Sequence, residues 1–394
     1  MAAHTPSIHT PPILPLPTPG SAGFSPALVR AVHASPALRG WAPDGTLLAV
    51  FVLAMVARRG GVLVDVVRDR GSPVPGVHRV VRAAIALAES VFGLETRTIV
   101  LSAHSTAADV SFEPRAGCFV IAGLEDAPTP VQIKFRDQVA LADKWVRPPL
   151  VVWVRNEDKA DDSPPWLIDI FSCSIAVVPD DIEPPPAGLE QTALIPPDYV
   201  ADLRSLLEVT HIHPPLEVHI SNLVAALSLH PSLASTITAR AEEALTRLVR
   251  GQRLLASPFD LPPDWEENVH TWQHEVGNPN AARRQAAAAG GLSGGPGGVD
   301  TWARRAGEVP RTEAVVGPGG DEWYCLPENV AGAWALAVRH RVRVREPGQG
   351  ALYQLNGTAQ ERAAKASKHQ GTVRETARHR REVDQALEEL LLTV

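Results

Sequence analysis

Short unbroken apolar runs alternate with stretches of helical spacing from about residue 45 to residue 180. The runs at 62–67, 98–102, Cys118–Ala122, 150–154 and 175–178 are apolar at successive positions rather than at every second one. That is the signature of parallel strands covered on both faces. Between them, 46–58, 77–92 and 131–141 read as helices, and the second carries Val77, Val80, Val81, Ala84, Ile85, Ala88 and Val91 on one side. Strands alternating with helices predict an α/β, doubly wound and mainly parallel sheet, with right-handed crossovers placing helices on both faces.

After Asp180 the texture changes. A Pro-rich linker (Pro184-Pro185-Pro186) leads into helical patterns at Pro197–Val209, 216–229 and 236–255, which together predict a small all-α second domain. From 258 to about 320 periodicity fades and Ala and Gly dominate, especially over 286–298, which reads as a disordered insertion. Helical spacing returns over 327–345, with Val330, Trp334, Val338 and Val342 in phase and Pro327 at the start. A last helix is expected over 372–392. The first forty residues, with Pro11, Pro12, Pro15, Pro17, Pro19, Pro26 and Pro36, read as a disordered arm. The expected divisions are therefore 1–40, 41–182, 183–257, 258–321, 322–346 and 347–394.

Composition narrows the class. In 394 residues, 45% are hydrophobic, enough to fill two cores, and a net charge of -7 gives no general attraction to nucleic acid or anionic membrane. Cys118, Cys173 and Cys325 are too scattered for a disulfide framework or a metal pair, which suits a cytoplasmic protein. The apolar run at 47–56 is too short to span a bilayer.

The segment from Gly61 to Gly93 has the strand, turn and helix in which a phosphate loop sits, without that loop's chemistry. A phosphate loop needs G-x-x-x-x-G-K-[ST]. Here the turn is Arg68-Asp69-Arg70-Gly71-Ser72-Pro73-Val74-Pro75-Gly76-Val77-His78-Arg79. Two prolines remove N–H donors, and no Lys-Ser or Lys-Thr opens the helix. Gly71, Ser72 and Gly76 remain the weak nucleotide-binding candidates. His211 and His213 lack a third ligand at defined spacing, and no H-E-x-x-H, C-x-x-C or G-x-S-x-G occurs. The run Arg339-His340-Arg341-Val342-Arg343-Val344-Arg345 reads as a solvated basic edge, with nucleic-acid binding not expected.

Several landmarks in order resemble the MoxR and magnesium-chelatase branch of the AAA+ ATPases, and within it the fungal magnesium-chelatase-like proteins. The 118–128 segment, CFVIAGLEDAP, resembles a Walker B strand and turn, and 150–157, LVVWVRNE, resembles a sensor strand ending in Asn156. Thr106-Ala107-Ala108-Asp109-Val110 is similar to the family's S-D-L stretch, and Leu167-Ile168-Asp169-Ile170-Phe171 to its L-L-D-R-F segment. Thr238-Ala239-Arg240-Ala241 resembles the S-P-R-A of a lid helix, and 324–341 its closing helix. The resemblance implies an AAA+ core followed by a helical lid, with Arg240 sensing a γ-phosphate.

It also implies missing chemistry. Aligning Ala127-Pro128 with the family's A-P puts the two Walker B acids at Ala122 and Gly123, and the arginine finger at Ile170. Glu125 and Asp126 are the weak catalytic candidates left, with Asn156. The expectation is a non-catalytic AAA+-like scaffold, binding a protein partner or assembling as a homo-oligomer, with ATP and Mg²⁺ as cofactors only if the degenerate site still binds. The alternative is an ATP-dependent magnesium-chelatase-like subunit that remodels or metallates a partner. A third reading gives the Pro-rich arm the binding role, through segments such as Pro11-Pro12-Ile13-Leu14-Pro15.

Overall fold

The computed structural model describes residues 15–57, 61–67, 76–261, 323–344 and 373–393. Five strands form one parallel sheet in the order β2 (Thr96–Val100), β3 (Cys118–Ala122), β4 (Leu150–Asn156), β1 (Gly61–Val66), β5 (Phe171–Val177). All residues of β1 and β3 are buried, as their unbroken apolar character requires.

Alternation along the strands divides the core in two. Val62, Val64, Val120, Val152 and Ile175 point to one face, and Leu63, Phe119, Ile121, Val151 and Trp153 to the other. The second face is covered by α4 (Thr129–Ala142) and the short α5 (Pro165–Ile168), with Phe135 packed on Phe171. The first face carries α2 (Gly45–Ala57), whose side chains from Leu47 to Ala57 are almost all buried, and α3 (Val77–Ala86), which continues as a π turn over Leu87–Val91. Asp44 caps α2, its Oδ1 accepting from the Leu47 N–H at 2.6 Å.

A helix apolar on every side must be enclosed, and the second domain encloses α2. Helices α6 (Pro197–Val209), α7 (Pro214–Leu229), α8 (Ala239–Ala256) and α9 (Pro327–Val338) share one continuous core with α2 and the sheet. The last helix, α10 (Val373–Thr393), adds Val383, Ala386, Leu387 and Leu390 to it. The α/β core with a mainly parallel sheet is therefore as expected, and the helical domain packs directly on it.

Three features depart from expectation. The arm expected over 1–40 ends before residue 40: α1 (Phe24–His33) buries Phe24, Leu28 and Val32, four residues apart, and Leu38 and Trp41 follow them into the core. Its prolines lie outside that apolar stripe, so average composition hid it. The helix expected over 327–345 stops at Val338, and Val342–Val344 forms β7, antiparallel to β6 (Leu233–Ser235).

The basic run before β7 is not a solvated edge. The Arg341 guanidinium, 1% exposed, donates to Phe171 O at 2.6 Å and to Ala337 O, and pairs with Asp169 at 3.4 Å. The buried His340 ring lies 3.1 Å from Phe171 O through Nε2 and 3.0 Å from Ser174 Oγ through Nδ1. A carbonyl can only accept, so Nε2 carries the proton and Nδ1 accepts from the Ser174 hydroxyl. Both residues satisfy the Phe171 carbonyl on the open edge of β5.

Candidate functional site

The carboxyl ends of β3 and β4 bring together Glu125, Asp126 and Asn156 of the residues singled out from the sequence. At the end of β3 the chain turns through Gly123 at φ +74°, and a Cβ built there would lie 2.1 Å from the Leu101 carbonyl oxygen. Leu101 is held in place because its N–H donates to Ala122 O at 2.8 Å. A left-handed conformation and a carbonyl at that distance both require glycine. The position at which the resemblance expects a water-orienting Glu thus cannot carry a side chain.

The neighbouring acids are occupied by the chain itself. Glu125 accepts from Trp153 Nε1 at 3.2 Å and from the Asn156 N–H at 3.3 Å, which fastens it to the end of β4. Asp126 holds the Lys159 ammonium at 2.5 and 2.6 Å. Asn156 caps the 3-10 turn Glu157–Asp162, its Oδ1 accepting from the Asp158 N–H at 3.2 Å. Between β1 and β4, Asp65 and Arg155 form a buried pair at 2.5 Å, and Arg155 also donates to Ser163 Oγ at 3.2 Å and lies over the Trp153 ring.

Helix α10 closes this side further. Its Arg380 pairs with Glu157 at 3.5 Å, and its Asp384 pairs with Arg339 at 3.0 Å. Burial pushes the Glu157 carboxyl above the usual carboxylate range, although Arg380 pulls the other way.

The phosphate-loop position has its own substitute. Gly71 and Ser72 lie outside the described residues, but Gly76 opens α3 with Pro179 packed on it: an added Cβ would sit 2.1 Å from the proline's own Cβ. One turn on, Arg79 pairs with Asp180 at 3.3 Å. Arg79, in the first turn of α3, therefore already has a counter-charge from the chain itself.

Arg240 is not part of this cluster. It sits in the first turn of α8 and pairs with Asp143, beyond the end of α4, at 3.1 Å. Asp143 lies near the start of β4 and Asn156 at its end, about 20 Å away at the rise of an extended strand. His211 and His213 flank the Tyr324 ring, and no group of three metal-ligating side chains occurs among the described residues.

Sequence reasoning missed the Asp65–Arg155 pair, although its signal was present: each is a charge near the end of an otherwise apolar run, VLVDVV and VVWVRN. It also missed that Gly123 is held in a left-handed turn, which no local pattern announced.

No protein-family model matches the sequence, and no curated protein matches it. Among solved structures the chain is similar to the crystal structure of a "putative ATPase" from Cytophaga hutchinsonii, at 12% identity and a TM-score of 0.50, with 89% of each chain covered. At that identity the likeness is one of fold. The parallel five-stranded sheet with the helical domain behind it is the fold that the likeness covers.

Proposed function

We propose that the chain is a non-catalytic AAA+-like protein of the MoxR and magnesium-chelatase type, which keeps the two-part body and uses it to bind a protein partner. The observation that carries this reading is the turn at Gly123. In an AAA+ ATPase an acid near this point orients the attacking water, whereas here the backbone requires glycine. The engaged states of Glu125, Asp126 and Asn156 support it, as does the absence of a Lys-Ser or Lys-Thr pair in the turn sequence. A cytoplasmic location belongs to the same proposal. The three cysteines are unpaired and buried, and burial pushes the Cys173 thiol up to about 12 and Cys325 up to about 11, so they are poor nucleophiles.

Calorimetric titration of the full chain with ATP and ADP, with and without Mg²⁺, tests the proposal. No heat of binding is expected, and micromolar affinity for either nucleotide overturns it.

The competing reading is an ATP-dependent magnesium-chelatase-like subunit, and the description of the fold neighbour as a "putative ATPase" favours it. It predicts steady phosphate release that is lost in Glu125→Gln, because Glu125 is the nearest acid following the Gly123 turn. Release at the buffer rate rejects it.

A further inference from the structure

The Pro-rich arm that the sequence offers to other proteins is, over its described residues, held by its own chain. In Pro15-Leu16-Pro17-Thr18-Pro19-Gly20 a proline stands at every second position, so the segment is poor in N–H donors and its carbonyls must find donors elsewhere. Two of them find donors on the body. Pro17 O accepts from the Tyr199 hydroxyl at 2.6 Å, and Gly20 O accepts from the Phe259 N–H at 3.0 Å. Pro19 and Gly20 are buried, Leu16 is half-buried against the core, and Pro15 and Thr18 are exposed.

The receiving surface is fixed by the helical domain. Tyr199 stands in the first turn of α6, its ring stacked on Phe24 at 6.5 Å. Phe259 follows α8, with the Trp323 ring 5.0 Å away and the Arg253 guanidinium 5.8 Å over its own ring. Arg253 also donates to Pro258 O at 3.1 Å and to Tyr324 O at 2.9 Å, so α8 anchors the backbone on which Phe259 sits. The fit at the end of the segment is specific. Gly20 has φ +81°, and a Cβ there would lie 2.2 Å from Phe259 O and 3.0 Å from its ring, so only glycine is accepted.

Aromatic side chains beside a proline-fixed segment, with donors aimed at its carbonyls, are the terms on which Pro-rich segments are recognised between proteins. The contacts are to main-chain carbonyls, and any segment with prolines and glycine at the same spacing presents them equally well. We propose that the surface formed by Tyr199 and Phe259 is a binding site for a Leu-Pro-x-Pro-Gly segment of a partner protein, and that 15–20 is the chain's own copy of that ligand, which the partner's segment displaces. Attachment in cis gives the arm an effective concentration on the order of millimolar, so the partner must bring better contacts or a second attachment. The proposal rests on the partner-binding part of the reading above and names the chemistry of the partner.

The test is fluorescence anisotropy of the full chain with a labelled peptide that copies residues 13–22. Gly20→Ala sets a methyl against the Phe259 carbonyl and should release the arm, so this variant should bind the peptide about tenfold more tightly than the unaltered chain. Pro19→Ala, which removes a buried ring without a clash, is a second way to loosen the arm and should act in the same direction. Adding Tyr199→Phe to either variant should weaken binding about three- to tenfold, and Pro17→Ala with Pro19→Ala within the peptide should abolish it. Equally weak binding by the unaltered chain and both folded variants overturns the proposal, as does binding that Tyr199→Phe leaves unchanged. Loss of cooperative thermal unfolding in both variants makes the arm a structural strap and overturns it. Dimerisation of the unaltered chain in sedimentation, lost in Gly20→Ala, assigns the surface to the arm of a second copy and also overturns it. No nucleotide enters the assay, so this proposal can fail while the non-catalytic reading stands, and nucleotide binding in calorimetry can reject that reading while the peptide still binds.

Discussion

The two edges of the sheet hold ion pairs at different depths, Asp65–Arg155 buried at one and Arg240–Asp143 exposed at the other. At the carboxyl edge, where open α/β sheets place their ligands, Asp65, Glu125, Asp126, Asn156 and Glu157 are each engaged by a partner in the same chain. At the amino edge, Lys144, Arg204, Arg240 and Arg247 gather around Asp143 and a groove remains open. The Asp65–Arg155 pair is buried, so removing one partner strands the other's charge, whereas the Arg240–Asp143 pair is exposed and contributes little. The difference should therefore emerge as a large stability loss when the buried pair is broken and a small one when the exposed pair is.

The largest effect is expected at the buried pair. Asp65→Ala leaves the Arg155 guanidinium without its counter-charge and should cost about 3–5 kcal/mol in urea unfolding, whereas Arg240→Ala, removing an exposed pair, should change stability by less than about 1 kcal/mol. Equal effects would erase the distinction between the edges. Next is Gly123→Glu, which restores the carboxylate that the resemblance expects but forces a side chain against the Leu101 carbonyl. It should destabilise by about 2–4 kcal/mol and yield no phosphate release, and any gain in turnover would place the site elsewhere than argued.

Two pH experiments refine the comparison. Burial, with the Arg341 charge beside it, holds His340 well below its usual 6.5. The unfolded chain therefore takes up a proton that the native ring refuses, and stability is lost as pH falls below 6.5. His340→Gln should cost about 1–2 kcal/mol at pH 8 through its two lost hydrogen bonds and should flatten that acid slope. Glu157 has the opposite sign. Its carboxyl is raised above 4.5, chiefly by burial, so its ionisation disfavours the native state as pH rises. Glu157→Gln should gain less than about 1 kcal/mol at pH 7, and the gain should vanish below pH 4.5 in the same unfolding assay.

Strands and helices of the sheet layer were legible because burial on two faces leaves apolar runs that little else produces. Cys118–Ala122 and Pro197–Val209 coincide with their expected limits. Helix α1 was hidden because proline content was averaged over a window in which only Phe24, Leu28 and Val32 decide the packing. The basic run was misjudged because residue type suggested solvent, while its alternation, Arg341-Val342-Arg343-Val344, already had the period of a strand. At the candidate site the residue types were readable and their engagements were not. Whether Glu125 faces a ligand or the Trp153 indole depends on which strand ends lie side by side, and that is a property of the order β3-β4-β1.

The second domain is stitched together across its own insertion. The Phe259 and Trp323 rings lie 5.0 Å apart, Arg253 donates to Tyr324 O at 2.9 Å, and Cys325 donates through its N–H to His211 O at 2.8 Å. Phe259 and Trp323, on either side of 262–322, thus lie in contact. Closing such an excursion costs free energy that varies only with the logarithm of its length, about 0.6 kcal/mol for each doubling. A change in the length of that segment should therefore alter the stability of the body only slightly. The fold supplies a fixed port into which a separate cargo of sequence can be spliced.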